Sequence, residues 1–301
     1  MTLTQLKYVI TVANEGSISE AAKELFISQP SLTNAVKELE NEMGITIFNR
    51  TNKGVSLSPE GDEFLAYARQ VMGQVELLED KYKKVEERSS RFCVSCQHYS
   101  FAVSAFVDVI KEYGADKYDF TLRETQTHEI IEDVAKLKSE VGVLYFSKHN
   151  EKVLSKIIRK NDLVFTEFYQ ADIHVFISNK HPLADKEYVT LKDLENYPYL
   201  SFEQGDYNSF YFSEEILNSI DRKKNIKVRD RATLFNLVVG LDGYTVSSGV
   251  ISNELNWGNI IAKPLKLDEK MRIGYVTKKG IALSKYAKSY IEGLHKYTGI
   301  V

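Results

Sequence analysis

Three helix-start signals and a turn follow one another within residues 1–58, and no other stretch restricts the fold of this chain so tightly. Thr2-x-x-Gln5 and Ser17-x-x-Glu20 have the form of capping boxes, in which a hydroxyl and a longer side chain satisfy backbone amides reciprocally at a helix start. They predict helices beginning near residues 3 and 18. Leu6, Val9, Ile10 and Ala13 recur at helical spacing after the first signal, and Ala21, Ala22 and Leu25 after the second, the small alanines permitting close helix contact. A third start lies at Ser28-Gln29-Pro30, because proline is preorganised for a first helical turn and gives up no needed N–H there. The apolar stripe of this helix is Leu32, Ala35, Val36, Leu39 and Met43.

Its other face, entered at Pro30, presents Gln29, Ser31, Thr33, Asn34 and Lys37, donors and acceptors suited to base edges and phosphates. Taken singly, each of these residues is more often part of an ordinary solvated face. Their place in an ordered three-helix assembly is what favours a recognition helix. The stretch ITIFNRTNKGVSLS then reads as two short strands around Asn52-Lys53-Gly54. A hairpin tipped with Arg50 and Lys53 is a wing whose basic side chains suit a minor groove or its flanking phosphates.

Ser58-Pro59 opens a longer helix, expected to run to about Arg88. Phe64, Ala68, Val71, Val75, Leu78, Tyr82 and Val85 alternate four and three residues apart, the spacing of a coiled-coil seam. Such a stripe packs either on its own domain or on a second copy, and its position between two domains favours dimerisation through 59–88. The net charge is −3, and residues 1–88 hold ten Lys/Arg against fourteen Asp/Glu, a balance of −4. Contact with DNA therefore depends on local placement: segment 28–58 is neutral and ends on Arg50 and Lys53, while Glu76, Glu79, Asp80, Glu86 and Glu87 lie late in the long helix. Screening over about 10 Å separates the two.

Beyond residue 90 strands and helices alternate, as in an α/β domain. Strands are expected at 92–95, 118–123, 141–146, 172–178, 197–202, 244–248 and 271–277, and helices at 99–113, 128–139, 208–220, 231–241 and 284–297. No G-x-G-x-x-G, P-loop, G-x-S-x-G or H-E-x-x-H is present, and the six histidines are scattered, so neither enzyme, cofactor nor metal site is expected. An enzyme using His98 and His128 as acid and base is the weaker rival reading. Cys93 and Cys96 are the only cysteines, spaced C-x-x-C but inside a strand, where residues three apart face opposite ways, and no further ligands gather near them. The N-terminus lacks a secretory signal pattern and no run nears ~18 apolar residues, which points to cytoplasmic residence with no membrane partner and against an exported solute-binding protein.

The run SISEAAKELFISQPSLTNAVKELENEMGITIFNRTNKGVSLSPEG closely resembles the DNA-binding domain of LysR-type transcriptional regulators, in helix order, double alanine, Ser-Gln-Pro-Ser-Leu entry and wing. HPLA at 181–184, LKDLENYPYLSF and LVVGLDGYTVSSGVI are similar to segments of that family's effector domain, so the resemblance spans nearly the whole chain. It implies a winged helix-turn-helix (1–58), a linker and dimerisation helix (59–89) and a two-lobed, periplasmic-binding-protein-like α/β domain (90–301). Lobe I is expected at 90–162 and 268–301, with lobe II at 163–267. Carried over position by position, the effector contacts fall on Ser95, Cys96, Gln97, His98 and Tyr99; on Thr125, Gln126 and Thr127; on Ser201, Phe202 and Glu203; and on Thr245, Ser247 and Ser248.

Hydroxyls and amides at helix starts suit an anion or carboxylate. The resemblance further implies double-stranded DNA as partner, homodimers that assemble into homotetramers, and contact with RNA polymerase. QHYSFAVSAFVD, DRATLFNLVVGLDGYTVSSG and YPYLSFEQGDYNSFYFSEE resemble a Gram-positive subgroup tied to sulfur amino-acid metabolism, which implies an amino-acid-like or acetylated-serine-like effector.

Overall fold

Side-chain caps fix where the N-terminal helices begin. The computed structural model describes residues 1–301 apart from 52–53, 83–89, 115–117, 208–210, 218–219, 252–257 and 300–301. Helix α1 (Leu3–Glu15) starts at Thr2, whose hydroxyl accepts from the Gln5 amide at 3.2 Å while its own N–H donates to Gln5 Oε1 at 2.9 Å. Helix α2 (Ile18–Glu24) starts at Ser17, which accepts from the Glu20 amide; the Glu20 carboxylate turns instead to Lys23 at 2.8 Å. Helix α3 (Gln29–Met43) is capped by Ser28 and ends at Gly44, whose φ of 68° is the left-handed conformation glycine adopts without strain.

Strands β1 (Phe48–Thr51) and β2 (Gly54–Leu57) pair antiparallel, with Arg50 opposite Val55. The Glu40 carboxylate ties this hairpin to α3, accepting from the amides of Ile47 at 2.8 Å and Phe48 at 3.1 Å. Leu6, Val9, Leu32, Val36, Leu39 and Ile47 lie in one buried core. Helix α4 (Pro59–Tyr82) adds Leu65 and Ala68 to that core, with Phe64 and Met72 packed against it. Part of the expected seam is thus consumed within its own unit. Further along, Val71 is 40 % and Leu78 60 % exposed, while Val85 and the Tyr82 side chain lie outside the described residues.

The chain divides into two compact units, 1–86 and 87–301. In the second, β3 (Ser90–Cys96), β4 (Tyr118–Glu124), β5 (Val141–Phe146), β6 (Leu163–Asp172) and β12 (Lys270–Lys278) form a sheet in the order β4-β3-β5-β12-β6. β3 pairs parallel with β4 and β5, and β12 antiparallel with β5 and β6. Helices α5 (Ser100–Tyr113), α6 (Thr127–Ala135) and α7 (Glu151–Lys160) alternate with these strands, and α10 (Lys285–Tyr297) packs on α5, where Gly293 lies so close that an added Cβ would approach Ala105 Cβ to 3.0 Å. The central strand β5 is buried along its whole length, as a strand covered on both faces requires.

Strands β7 (His174–Ser178), β10 (Thr245–Ser247) and β11 (Ile260–Pro264) form a second, antiparallel sheet, and β8 (Tyr199–Phe202) pairs parallel with β9 (Asn225–Val228). A bridge between Tyr199 and Tyr244 joins these two groups of strands. Helices α8 (Leu191–Leu194) and α9 (Arg231–Gly240) complete this half. Chain crossings at 172–174 and 265–270 link the two sheets, so the unit is α/β and two-lobed.

The structure departs from the sequence expectations in several elements. Among the described residues of 208–220, positions 211–217 run through turns and bends rather than a helix, because Ser213 and Glu215 spend their side chains on local and cross-segment hydrogen bonds. The strand expected at 172–178 is β7, whereas β6, α7, α8, β9 and β11 were not expected. Helix α6 stops at Ala135, with Leu137 at a φ of 53°, short of 139. No helix among the described residues is long and apolar enough to cross a membrane.

Candidate DNA interface and ligand cleft

The face of α3 away from the core carries Gln29, Pro30, Ser31, Asn34 and Lys37, all exposed, and Thr33, half-buried. Two of these are held in place by neighbours. Ser19 of α2 donates to Gln29 Oε1 at 2.8 Å, which leaves the amide hydrogens of Gln29 as its outward donors, and the Ser31 hydroxyl lies 2.7 Å from that of the cap residue Ser28. A positioned donor–acceptor row on one rigid helix is what reading base edges requires. Arg50 belongs to β1, but its side chain, like the whole of Lys53, lies outside the described residues. Phe26, in the turn between α2 and α3, is 94 % exposed with a φ of 55°.

In the second unit three separate segments converge on one small cavity. His98, Tyr99, Phe202, Thr245 and Ser247 line it, joined by Phe176, Glu214, Glu215, Arg231, Leu234 and Phe235. The His98 ring stacks on Phe202 with centroids 3.8 Å apart and planes within 6°. Its backbone N–H and its Nδ1 lie 3.1 and 2.8 Å from one oxygen of Glu214, and both side chains are only 5 % exposed. Glu215 accepts from the Phe202 amide at 2.8 Å and from the Ser213 hydroxyl at 3.0 Å. Burial, reinforced by the neighbouring Glu214 charge, raises the Glu215 carboxyl from 4.5 to about 8. Arg231, at the start of α9, pairs with Glu124 at the end of β4. Thr245 Oγ1 is buried with no hydrogen-bond partner among the described residues.

The other residues carried over by resemblance have different placements. Gln97 is a buried tie beside the cavity: its Nε2 donates to Thr127 Oγ1 at 2.6 Å, and its Oε1 accepts from the Tyr145 amide at 3.2 Å and from the Tyr99 hydroxyl at 3.0 Å. Thr127, at the start of α6, donates its N–H to Gln204 Oε1 at 3.1 Å, and the Gln126 side chain lies against Gly205, where a Cβ would come within 2.8 Å of Oε1. Ser95 points elsewhere, donating to Asp133 at 2.7 Å, and Cys96 sits in the apolar core, its thiol pushed up to about 12 by burial.

Thr125 bonds Glu129 and lines a separate open depression of about 500 Å³, whose Asp133 is approached by Arg123 at 3.5 Å and Lys138 at 3.9 Å. Glu203 pairs with Arg229, Ser201 is buried in β8, and the buried Ser248 accepts from the Val250 amide at 3.4 Å. Sequence reasoning missed Gln204, Glu214, Glu215 and Arg231. The available signal was an acid pair set in an aromatic, apolar stretch, Tyr211-Phe212-Ser213-Glu214-Glu215-Ile216-Leu217. Cys93 and Cys96 are both free, with the Cys93 sulfur 3.1 Å from the Ser139 hydroxyl.

Comparison with known proteins covers both units. Residues 3–62 match the family described as bacterial regulatory helix-turn-helix protein, lysR family, and residues 87–298 match the LysR substrate binding domain. The chain is 25 % identical over 257 residues to the HTH-type transcriptional regulator AlsR of Bacillus subtilis (strain 168), covering 83 % of this chain and 78 % of that protein. Its fold is similar to that of a full-length OxyR variant from Pseudomonas aeruginosa, with a TM-score of 0.70, 18 % identity and coverage of 98 % of this chain and 95 % of the other. It is also similar to full-length CbnR complexed with its target DNA, with a TM-score of 0.57, 18 % identity and coverage of 99 % and 100 %.

Proposed function

This chain belongs to the LysR family of bacterial DNA-binding transcriptional regulators, and from that premise we propose that a small metabolite in the cleft of residues 90–301 controls how paired copies of α3 hold DNA. The family makes it a regulator with an effector-binding domain and not an enzyme. The proposed domains are 1–58 for reading DNA, 59–89 for pairing and 90–301 for sensing, the last with lobes at 90–162 plus 268–301 and at 163–267.

Gln29, Pro30, Ser31, Thr33, Asn34 and Lys37 meet the major groove, while Arg50 and Lys53 bind backbone phosphates. Two chains pair along α4, where Val71 and Leu78 stand exposed at seam positions, and read an interrupted palindrome with half-sites about one helical turn, or a multiple, apart. Homotetramers, as the resemblance implies, bridge two such sites in the cytoplasm and set the access of RNA polymerase.

The observation that carries the sensing role is the convergence of His98, Phe202 and Thr245, from three distant segments, on one cavity with a hydroxyl that has no partner among the described residues. An amino-acid-like metabolite tied to sulfur amino-acid supply is the effector class that the sequence resemblance favours. Gel shifts on the chain's own upstream DNA, with and without a panel of such metabolites, test the whole reading. A specific band whose mobility or midpoint changes with one metabolite supports it, and absence of any specific band overturns it.

A further inference from the structure

The cleft of the second unit is filled by the chain's own side chains. The space left beside Thr245 and Ser247 is about 30 Å³. That holds a water molecule or two at the ~10–15 Å³ each needs, whereas metabolite sites run to about 300 Å³ and more. What fills the rest is specific. One Glu214 oxygen sits 3.1 Å from the His98 backbone N–H and 2.8 Å from His98 Nδ1, and the other accepts from Gln204 Nε2 at 3.3 Å. A carboxylate only accepts hydrogen bonds, so with the imidazole proton on Nδ1 all three neighbours are donors directed at it.

Each donor is itself fixed. The His98 ring is clamped flat on Phe202, and Gln204 is anchored through Oε1 to the Thr127 amide at the start of α6. Groups from three segments thus build a socket for a carboxylate, and a residue of the chain occupies it. Glu214 belongs to the turns and bends of 211–217, so withdrawing it breaks no helix. Beside it Thr245 Oγ1 is buried without a partner among the described residues, a group that a ligand reaching past the socket would satisfy.

We propose that Glu214 is a resident stand-in for the ligand: the effector is a small carboxylate-bearing molecule that displaces the Glu214 side chain from His98 and Gln204 and extends to Thr245. This rests on the reading of the cleft as the effector site. It gives that site a definite switch, because ligand and Glu214 compete for the same donors. Apparent affinity is lowered by the cost of expelling Glu214.

The test is thermal unfolding of the full-length chain and its Glu214→Ala variant in sodium acetate or sodium propionate, against sodium chloride at equal ionic strength and against ethylammonium chloride. Either carboxylate is expected to raise the second unit's Tm in Glu214→Ala by about 2–4 °C over chloride, and in the parent by much less. Equal shifts in carboxylate and chloride overturn the proposal, as does stabilisation of the parent by ethylammonium, which would mark the acid pair as a cation site. Should Glu214→Ala fail to fold, Glu214→Gln keeps the volume and weakens only the charged hydrogen bonds. Propionate must then act at lower concentration than on the parent, and identical midpoints overturn the proposal. Gel shifts on the same samples separate the two layers. A metabolite that alters the DNA complex without any carboxylate effect on Glu214→Ala removes the socket and leaves the sensing role. A carboxylate effect on Tm that never reaches the DNA complex supports the socket and removes the sensing role.

Discussion

The two units put their working groups in opposite environments. In residues 1–86 most of the groups proposed to meet DNA stand on the outside of α3, whose ends are closed by Ser28 and Gly44 and whose inner face shares a core with α1 and α2. In residues 87–301 the groups proposed to meet a ligand are largely buried, and most are already bonded within the chain, His98 to Glu214 and Gln204 to Thr127. The first set loses its hydration only on binding DNA, whereas the second set is desolvated at folding and must trade one partner for another. Substitution in the reader should therefore change affinity, and substitution in the cleft should change stability together with response.

The largest effect that bears on this comparison concerns independence of the units. Leu32 lies inside the α1–α4 core with no exposure. Leu32→Ala should cost about 2–5 kcal/mol through lost burial and the cavity left behind. Calorimetry of the full chain should show the first unit's transition falling and the second's staying in place, with specific DNA binding lost at the temperature where the first unit melts. A joint shift of both transitions would break the comparison, since the units would then melt as one.

Next in size are the contacts with DNA. Asn34→Ala should reduce discrimination at one base pair by about 1–3 kcal/mol and leave binding to unrelated sequences nearly unchanged. Arg50→Ala or Lys53→Ala should weaken every sequence alike and lower the slope of log affinity against log salt by about one. Competition gel shifts across a salt series distinguish the two patterns, and identical behaviour of the variants removes the division between base reading and phosphate anchoring.

These contrasts also explain which parts were legible in the sequence. Caps, a first-turn proline and turn residues are local signals, so the starts of α1, α2 and α3 could be read directly from Thr2, Ser17, Ser28 and Pro30, and the hairpin from Asn52-Lys53-Gly54. Helix α7 carries Leu154, Ile157 and Ile158 at helical spacing, yet Asn150 at its start makes no side-chain cap bond, so the boundary signal is missing. Strands β9 and β11 are short and owe their form to partners distant in sequence, β8 and β7.

The cleft was legible only in part. Resemblance led to His98, Tyr99, Phe202, Thr245 and Ser247, but equally to Ser95, which faces Asp133, and to Glu203, which faces Arg229. Adjacent glutamates ordinarily signal a solvated surface, so the burial of Glu214 and Glu215 could not be anticipated from residue type.

A smaller effect probes the buried acids directly. The Glu215 carboxyl rises from 4.5 to about 8 on folding, so between those values the folded chain holds a proton that the unfolded chain has released. Stability should therefore fall as pH rises through that window and level off above about 8, with a slope of the order of 1 kcal/mol per pH unit at most. Glu215→Gln retains an acceptor for the Phe202 amide and has no charge to desolvate. Chemical denaturation of the second unit at several pH values should show a flatter profile for the variant, and greater stability than the parent near pH 8. An unchanged slope would mean that other groups set the pH dependence of this unit.

The smallest expected effect tests whether the reader is as fully polar on its outer side as the comparison requires. Phe26 holds a φ of 55° in the turn before α3 and is 94 % exposed, so an aromatic side chain sits in a conformation that disfavours it with little packing in return. Asparagine tolerates that backbone region and keeps more of the unfolded chain's restriction than glycine would. Phe26→Asn should raise the stability of the first unit by up to about 1 kcal/mol, read as a higher Tm for that transition alone. Affinity for the chain's own upstream DNA decides what the ring does. If Phe26→Asn is stabler and binds equally well, the ring is a strained bystander and the polar face of α3 carries recognition. If it is stabler and binds more weakly, the strain is maintained for an apolar contact with DNA, and the contrast between an exposed polar reader and a buried sensor has to admit one aromatic on the reader's working side.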